Sequence, residues 1–88
     1  MYPYIKFADE TEVTHSHIIE RNGNDEIEVH FERPHTNGFD SARCVLPFYE
    51  WIMQEGYDAF EIETFERFLR SNAHLIYRYA ACGGIKIA

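Results

Sequence analysis

Apolar and polar residues alternate through the first half of the chain, and apolar residues recur every three or four positions through the second. Ile27, Val29 and Phe31 stand two apart, which is the pleat of a strand. Ile62, Phe65, Leu69, Asn72, Ile76 and Tyr79 follow the 3.6-residue turn of a helix. The first pattern predicts four strands: Tyr4–Phe7, Val13–Glu20, Glu26–Arg33 and Ser41–Leu46. Asn22-Gly23 supplies a tight turn between the second and third, because both residues tolerate positive φ. Pro34 is expected to stop the third ladder, and His35–Gly38 to form a loop. Short connections make an antiparallel meander the simplest topology.

Pro47 suits the first position of a helix, and Gly56 suits its left-handed end. A short helix between them is expected, with Phe48, Trp51 and Ile52 on one face. Asp58 and Glu61 read as a capping box for a long helix over Ala59–Cys82, which Gly83-Gly84 would end. At 1.5 Å per residue that helix is roughly 36 Å long, slightly more than a globule of this size spans. Ser71-Asn72 are natural cap residues and could break it, but the unbroken stripe favours continuity. Asn72 then becomes a polar core position whose amide needs partners. Ile85–Ile87 could add an edge strand. The expected fold is α+β: a four-stranded antiparallel β-meander, a short helix, and a long C-terminal helix packed on one sheet face. It forms a single domain over residues 1–88.

Composition narrows the function. Fifteen acidic residues against eight basic ones give a net charge of −7. Phosphate backbones and anionic membranes would be repelled, and no run of Lys or Arg makes a local exception. Neither nucleic acid nor a membrane is an expected partner. Seven Phe, six Tyr and one Trp are too many rings for one thin core, so some should stay exposed or meet another subunit. Phe48, Tyr49, Trp51, Met53 and Tyr79 are the candidate contact residues. Cys44 and Cys82 read as free thiols of a cytoplasmic protein, and no apolar run reaches the roughly 20 residues of a membrane span.

Chemistry is signalled only by histidines. With a turn at Asn22-Gly23, His15, His17 and His30 share one face of the sheet with Glu28 and Glu32, while Ile18, Ile27, Val29 and Phe31 share the other. His15, His17, His30 and Glu28 could hold Zn²⁺ or another transition metal. A change in register parity would dismantle that cluster. No nucleophile with an adjacent base, phosphate loop, dinucleotide fingerprint or Cys-x-x-Cys is present, so an enzyme is the less favoured expectation. The leading reading is a small protein-interaction or regulatory module, expected to be a homodimer. The alternative is a metal-binding protein or small metal-dependent enzyme. A third, an acidic mimic of nucleic acid, rests on charge alone.

Overall fold

The structure is a computed structural model and describes residues 1–84. It is α+β: six antiparallel strands form one sheet, and a single C-terminal helix crosses one face of it. The strands are β1 (Tyr2–Lys6), β2 (Glu12–His15), β3 (Ile19–Arg21), β4 (Asn24–His35), β5 (Gly38–Leu46) and β6 (Glu50–Glu55); the helix is α1 (Ala59–Ala81). The sheet order is β1-β2-β4-β5-β6, with β3 also paired to β4.

The expected second strand, Val13–Glu20, is two strands rather than one. Beyond the Asn22-Gly23 turn, β3 pairs with β4 as Arg21↔Asn24 and Ile19↔Glu26, the register that turn predicts. β2 pairs with the same strand as Thr14↔His30 and His15↔Val29, one residue out of step. The extra residue is absorbed over Ser16–Ile18, where the ladder is interrupted. Ser16 bridges the gap. Its N–H donates to the Glu28 carbonyl (2.9 Å), and its Oγ accepts from the Glu28 N–H (3.0 Å), standing in for a missing backbone carbonyl.

The expected short helix does not form. Its residues make the turn Pro47–Tyr49 and the strand β6, paired with β5 from Val45↔Glu50 to Ser41↔Glu55. The Leu46–Pro47 peptide is cis, and Tyr49 takes a left-handed φ of 54°. Trp51 and Met53 are half-buried and Glu50, Ile52 and Gln54 exposed, but a register shift pairs Trp51 with inward Cys44 and Met53 with outward Arg43, so the two lie on opposite faces. The segment reads as helical because Pro47 and Gly56 suit the two ends of a helix and Phe48, Trp51 and Ile52 fit one helical face; Pro47 instead lies in the turn and Gly56 just after β6. Pro34 also departs from expectation. It lies inside β4 opposite Phe39, and the β4–β5 turn is only Thr36-Asn37.

The long helix is as expected. Asp58 Oδ1 accepts from the Glu61 N–H at 2.8 Å, and Glu61 Oε1 accepts from the Asp58 N–H at 3.1 Å. Tyr57 and Ile62, before and after this box, are both buried in one cluster, as in a hydrophobic staple. The helix runs unbroken through Ser71-Asn72. Asn72 Oδ1 accepts from the Tyr4 hydroxyl (2.7 Å) and its Nδ2 donates to the Phe68 carbonyl (2.9 Å), so the amide is paired. At the end, Gly84 N–H reaches the Tyr79 carbonyl (2.6 Å) and Gly83 N–H that of Ala80 (3.4 Å), with Gly83 at φ 81°. This is the glycine-terminated helix end that the Gly-Gly pair implies. The expected strand over Ile85–Ile87 lies outside the described residues.

The core joins the inner sheet face to the helix. Val13, Ile27, Val29, Phe31, Ala42, Cys44 and Leu46 meet Ile62, Phe65, Leu69, Ile76 and Ala80. Phe31 and Phe65 stack at 4.4 Å between centroids, 8° from parallel. The outer face is polar, with Thr14, His30 and Arg43 in one row and Glu12, Glu32 and Ser41 in the next. That is the usual division of a one-sided antiparallel sheet. The outermost described strands are both interrupted. β1 carries Pro3, a register shift and Lys6; β6 carries a register shift and a glutamate at each end. Such features discourage strand-to-strand pairing with another chain. No helix of the described residues is long and apolar enough to cross a membrane.

Both cysteines are free, Cys44 buried and Cys82 exposed. Burial, with some help from the Glu66 charge, pushes the Cys44 thiol up to about 12, so it is uncharged at neutral pH and no nucleophile. A thiol reagent at pH 8 should therefore titrate one cysteine in the native protein and two in 6 M guanidinium. Two fast equivalents from native protein would contradict the packing around Cys44.

Candidate functional site

The register error that splits β2 from β3 also decides the histidines. His15 pairs with Val29 and faces the core, fully buried, with its ring beside Tyr2 and Tyr4 (5.5 and 6.3 Å). Its Nδ1 donates to the Ser16 carbonyl at 2.9 Å, and its Nε2 has no hydrogen-bond partner. His30 lies on the opposite face, paired with Glu28 at 2.7 Å, and His17 is exposed in the interruption. His15, His17, His30 and Glu28 are therefore not brought together; only the Glu28–His30 pair forms. Among the described residues no group of three or more His, Cys, Asp or Glu side chains is placed to hold a metal ion.

The expected contact residues are scattered too. Phe48 is exposed in the β5–β6 turn. Tyr49 lies under the Arg70 guanidinium, 4.1 Å from its ring centroid. Trp51 turns toward α1, lies tilted against Phe31 (5.8 Å between centroids) and donates its Nε1–H to Glu66 (3.3 Å). Met53 pairs with Arg43, which lies on the outer face. Tyr79 sits against Tyr4, 6.1 Å away. They form no single surface, because β6 is a strand whose side chains divide between two faces.

A different surface is concave and aromatic. Between the β1–β2 turn and the first half of α1 runs a groove of about 430 Å³, open to solvent. Phe7, Ala8 and Asp9 form one wall, Phe60, Glu61 and Thr64 the other, and Phe65 and Phe68 lie between them. Phe7 meets Phe68 edge-on at 5.0 Å and Phe65 at 6.0 Å. Phe60 is 71 % exposed, the most exposed large hydrophobic residue described.

One arginine fixes both walls. Arg33 follows Phe31 on the inner face of β4, at the end of the sheet near the helix N-terminus. Its Nη1 donates to Asp9 Oδ2 and to Glu61 Oε2, each at 2.9 Å, and its Nε donates to Asp40 Oδ2 at 2.9 Å. Its guanidinium carbon lies 4.8 Å above the Tyr57 ring. Asp9 thus ties the turn, and Glu61 the helix, to the same cation. The turn is also internally closed: Phe7 N–H donates to the Thr11 carbonyl (2.8 Å), Thr11 N–H to Asp9 Oδ1 (3.0 Å), and Glu10 takes a left-handed φ of 73°. Tyr57 and Thr11 hydroxyls meet at 3.1 Å beneath it. Gly56 packs directly against Asp40, where any Cβ would overlap the carboxylate.

The electrostatics follow from this geometry. The hydrogen bonds that Arg33 donates to Asp40, then to Glu61 and Asp9, raise its pKa further still, so the cation is permanent. Partial burial pushes the Asp9 carboxyl up, but hydrogen bonds from Thr11 and Arg33 outweigh it and hold the group below its ordinary value of 3.8. Three carboxylates face one guanidinium, so acidic charge remains in surplus along the groove. His35 Nε2 approaches Asp40 Oδ1 at 3.3 Å but is nearly half exposed.

Two signals in the sequence point to this site. Phe60, Thr64 and Phe68 recur every four residues beside the main apolar stripe; Phe68 packs against the core, and Phe60 is left exposed. Arg33 continues the inward alternation Val29, Phe31, and a charge on the core face calls for opposite charges around it. The arrangement offers recognition rather than bond-making chemistry: apolar side chains in a cleft with carboxylates on its rim. Set against protein-family profiles, curated proteins and solved structures, the chain matches none of them.

Proposed function

We propose that this protein is a small protein-interaction module, one domain acting in the cytoplasm, whose docking site is the aromatic groove between the β1–β2 turn and α1. The carrying observation is Phe60. A phenylalanine 71 % exposed on a helix, contiguous with Phe7, Phe65 and Phe68, is a patch and not a lone exposed ring. Both walls are held in place by Arg33, so the groove exists before anything enters it, and little ordering cost opposes binding. The interrupted edge strands make side-chain docking the better route to a partner than strand addition. Reduced Cys44 and Cys82 fit a reducing compartment. The partner is another polypeptide; a second copy of this chain, expected from the aromatic content, is the competing occupant.

The test is Phe60→Gln against an uncharged amphipathic peptide that carries leucines one turn apart and glutamines elsewhere. The variant should keep its melting temperature within about 2 °C, because an exposed side chain contributes little to folding. It should lose most of the peptide affinity. Equal binding by the wild type and the variant would remove the groove from consideration.

A further inference from the structure

We infer that the occupant of the groove is a basic amphipathic helix of a partner protein, its apolar side chains resting on Phe7, Phe60 and Phe68 and its Lys or Arg residues facing Asp9 and Glu61. The inference rests on the docking reading above and adds the partner's chemistry.

Shape comes first. Phe60 and Phe68 stand eight positions apart on α1 with Thr64 midway, about 12 Å, which is a little over two helical turns. A partner helix laid along them can seat two or three apolar side chains at i, i+3 or i+4, and i+7. An extended strand fits less well. Strand addition needs free backbone N–H groups, and on the turn wall those of Phe7, Glu10 and Thr11 are already bonded within the turn. The open form of the groove likewise suits a row of side chains more than an enclosed small molecule.

Charge selects the partner. Asp9 and Glu61 line the groove itself and share Arg33 with Asp40, so one cation serves three anions. Asp58 adds a further exposed carboxylate at the start of α1, which offsets the positive end of the helix dipole. The whole chain carries −7, so a cationic segment is attracted from a distance as well as at contact. The same numbers oppose a second copy. A two-fold contact through this groove would set each acidic rim beside its equal.

The experiment uses the full chain, isotopically labelled, and three 16-residue peptides with one apolar pattern. Their outward positions carry Lys, Gln or Glu. Amide shifts at Asp9, Phe60, Thr64 and Phe68 report the groove, and titrations at 50 and 500 mM salt report charge. The Lys peptide should perturb these amides and bind at least tenfold more tightly than the Gln peptide at low salt, with the Glu peptide weakest. High salt should erase most of that advantage. Asp9→Asn should lower Lys-peptide affinity by a larger factor than Gln-peptide affinity, and so narrow the Lys-to-Gln ratio. Equal affinities for Lys and Gln peptides at the groove would overturn the basic partner and leave the docking site standing. No shift at the groove with any peptide would overturn both. Concentration-dependent shifts of the same amides without peptide would overturn the inference in favour of a second copy.

Discussion

Phe31→Ala should leave the protein at or beyond the edge of unfolding at 25 °C. Phe31 is completely buried at the middle of β4, stacked on Phe65 at 4.4 Å and close to Trp51 and Phe68 at 5.8 and 6.4 Å. Removing such a ring costs its transfer free energy and leaves a cavity, together about 3–5 kcal/mol. A domain of this length holds only about 4–13 kcal/mol in total. Relaxation would be poor here, because the walls of the cavity are other rings on a sheet strand and on a long helix, neither of which moves easily. Urea unfolding followed by far-UV circular dichroism reads the effect directly. The midpoint should fall by a third or more, or the variant should be unfolded in buffer. A loss under about 1 kcal/mol would mean that sheet and helix are not joined through this stack. Phe60→Gln provides the contrast: a phenylalanine of the same groove region, but outside the core.

Much of this arrangement is legible in the residues. The strand period around Phe31, the Asn22-Gly23 turn, the Asp58–Glu61 box, the long helix and its Gly-Gly end all follow from local rules with mechanisms. Two errors have identifiable physical causes. Residues 47–55 form a turn and β6 because pairing along β5 satisfies the strand's backbone, whereas Pro47 and Gly56 suit helix ends equally well. The histidine cluster fails because a single inserted residue near His17 reverses the faces of everything before it. Pattern reading sees period but not phase, and a bulge changes phase without a sequence signature. The groove left traces in the sequence, Phe60 beside the main stripe and the inward charge of Arg33, but not its shape. Its walls come from positions 7–9 and 60–68, and only the three-dimensional chain path brings them together.

Arg33→Met should lower the melting temperature by roughly 10 °C or more at pH 7. Methionine keeps much of the stem that lies against Tyr57 but removes the cation from Asp9, Asp40 and Glu61. All are partly solvated, Asp9 nearly half exposed, so the loss is screened well below that of a buried pair; about 2 kcal/mol is reasonable. For a chain of this size, each kcal/mol moves the melting temperature by about 4–8 °C. The pH dependence separates charge from packing. The Asp9 carboxyl is held below its ordinary 3.8 in the folded protein, so its contribution is whole above that pH and is lost as pH falls through the folded value. In the variant, acid instead relieves repulsion among carboxylates that have lost their cation. The difference in melting temperature between the two proteins should therefore shrink from pH 7 to pH 3.5. A constant difference would show that Arg33 works through the packing of its guanidinium on Tyr57 and not through the carboxylates. Because the same residue spans the walls of the groove, the variant should also bind the uncharged peptide more weakly at temperatures where it remains folded.

The hydrogen bond between Tyr4 and Asn72 ties residues separated by 68 positions. β1 is made well before α1, yet Tyr4 and Phe7 rest on rings and an amide that α1 supplies. The amino-terminal segment can zip onto β2 early, but its inner side must wait for synthesis to reach the helix. During that interval the nascent protein displays a bare aromatic ledge to whatever surrounds the tunnel exit. Emergence of α1, rather than of the sheet, is thus the event that seals the molecule.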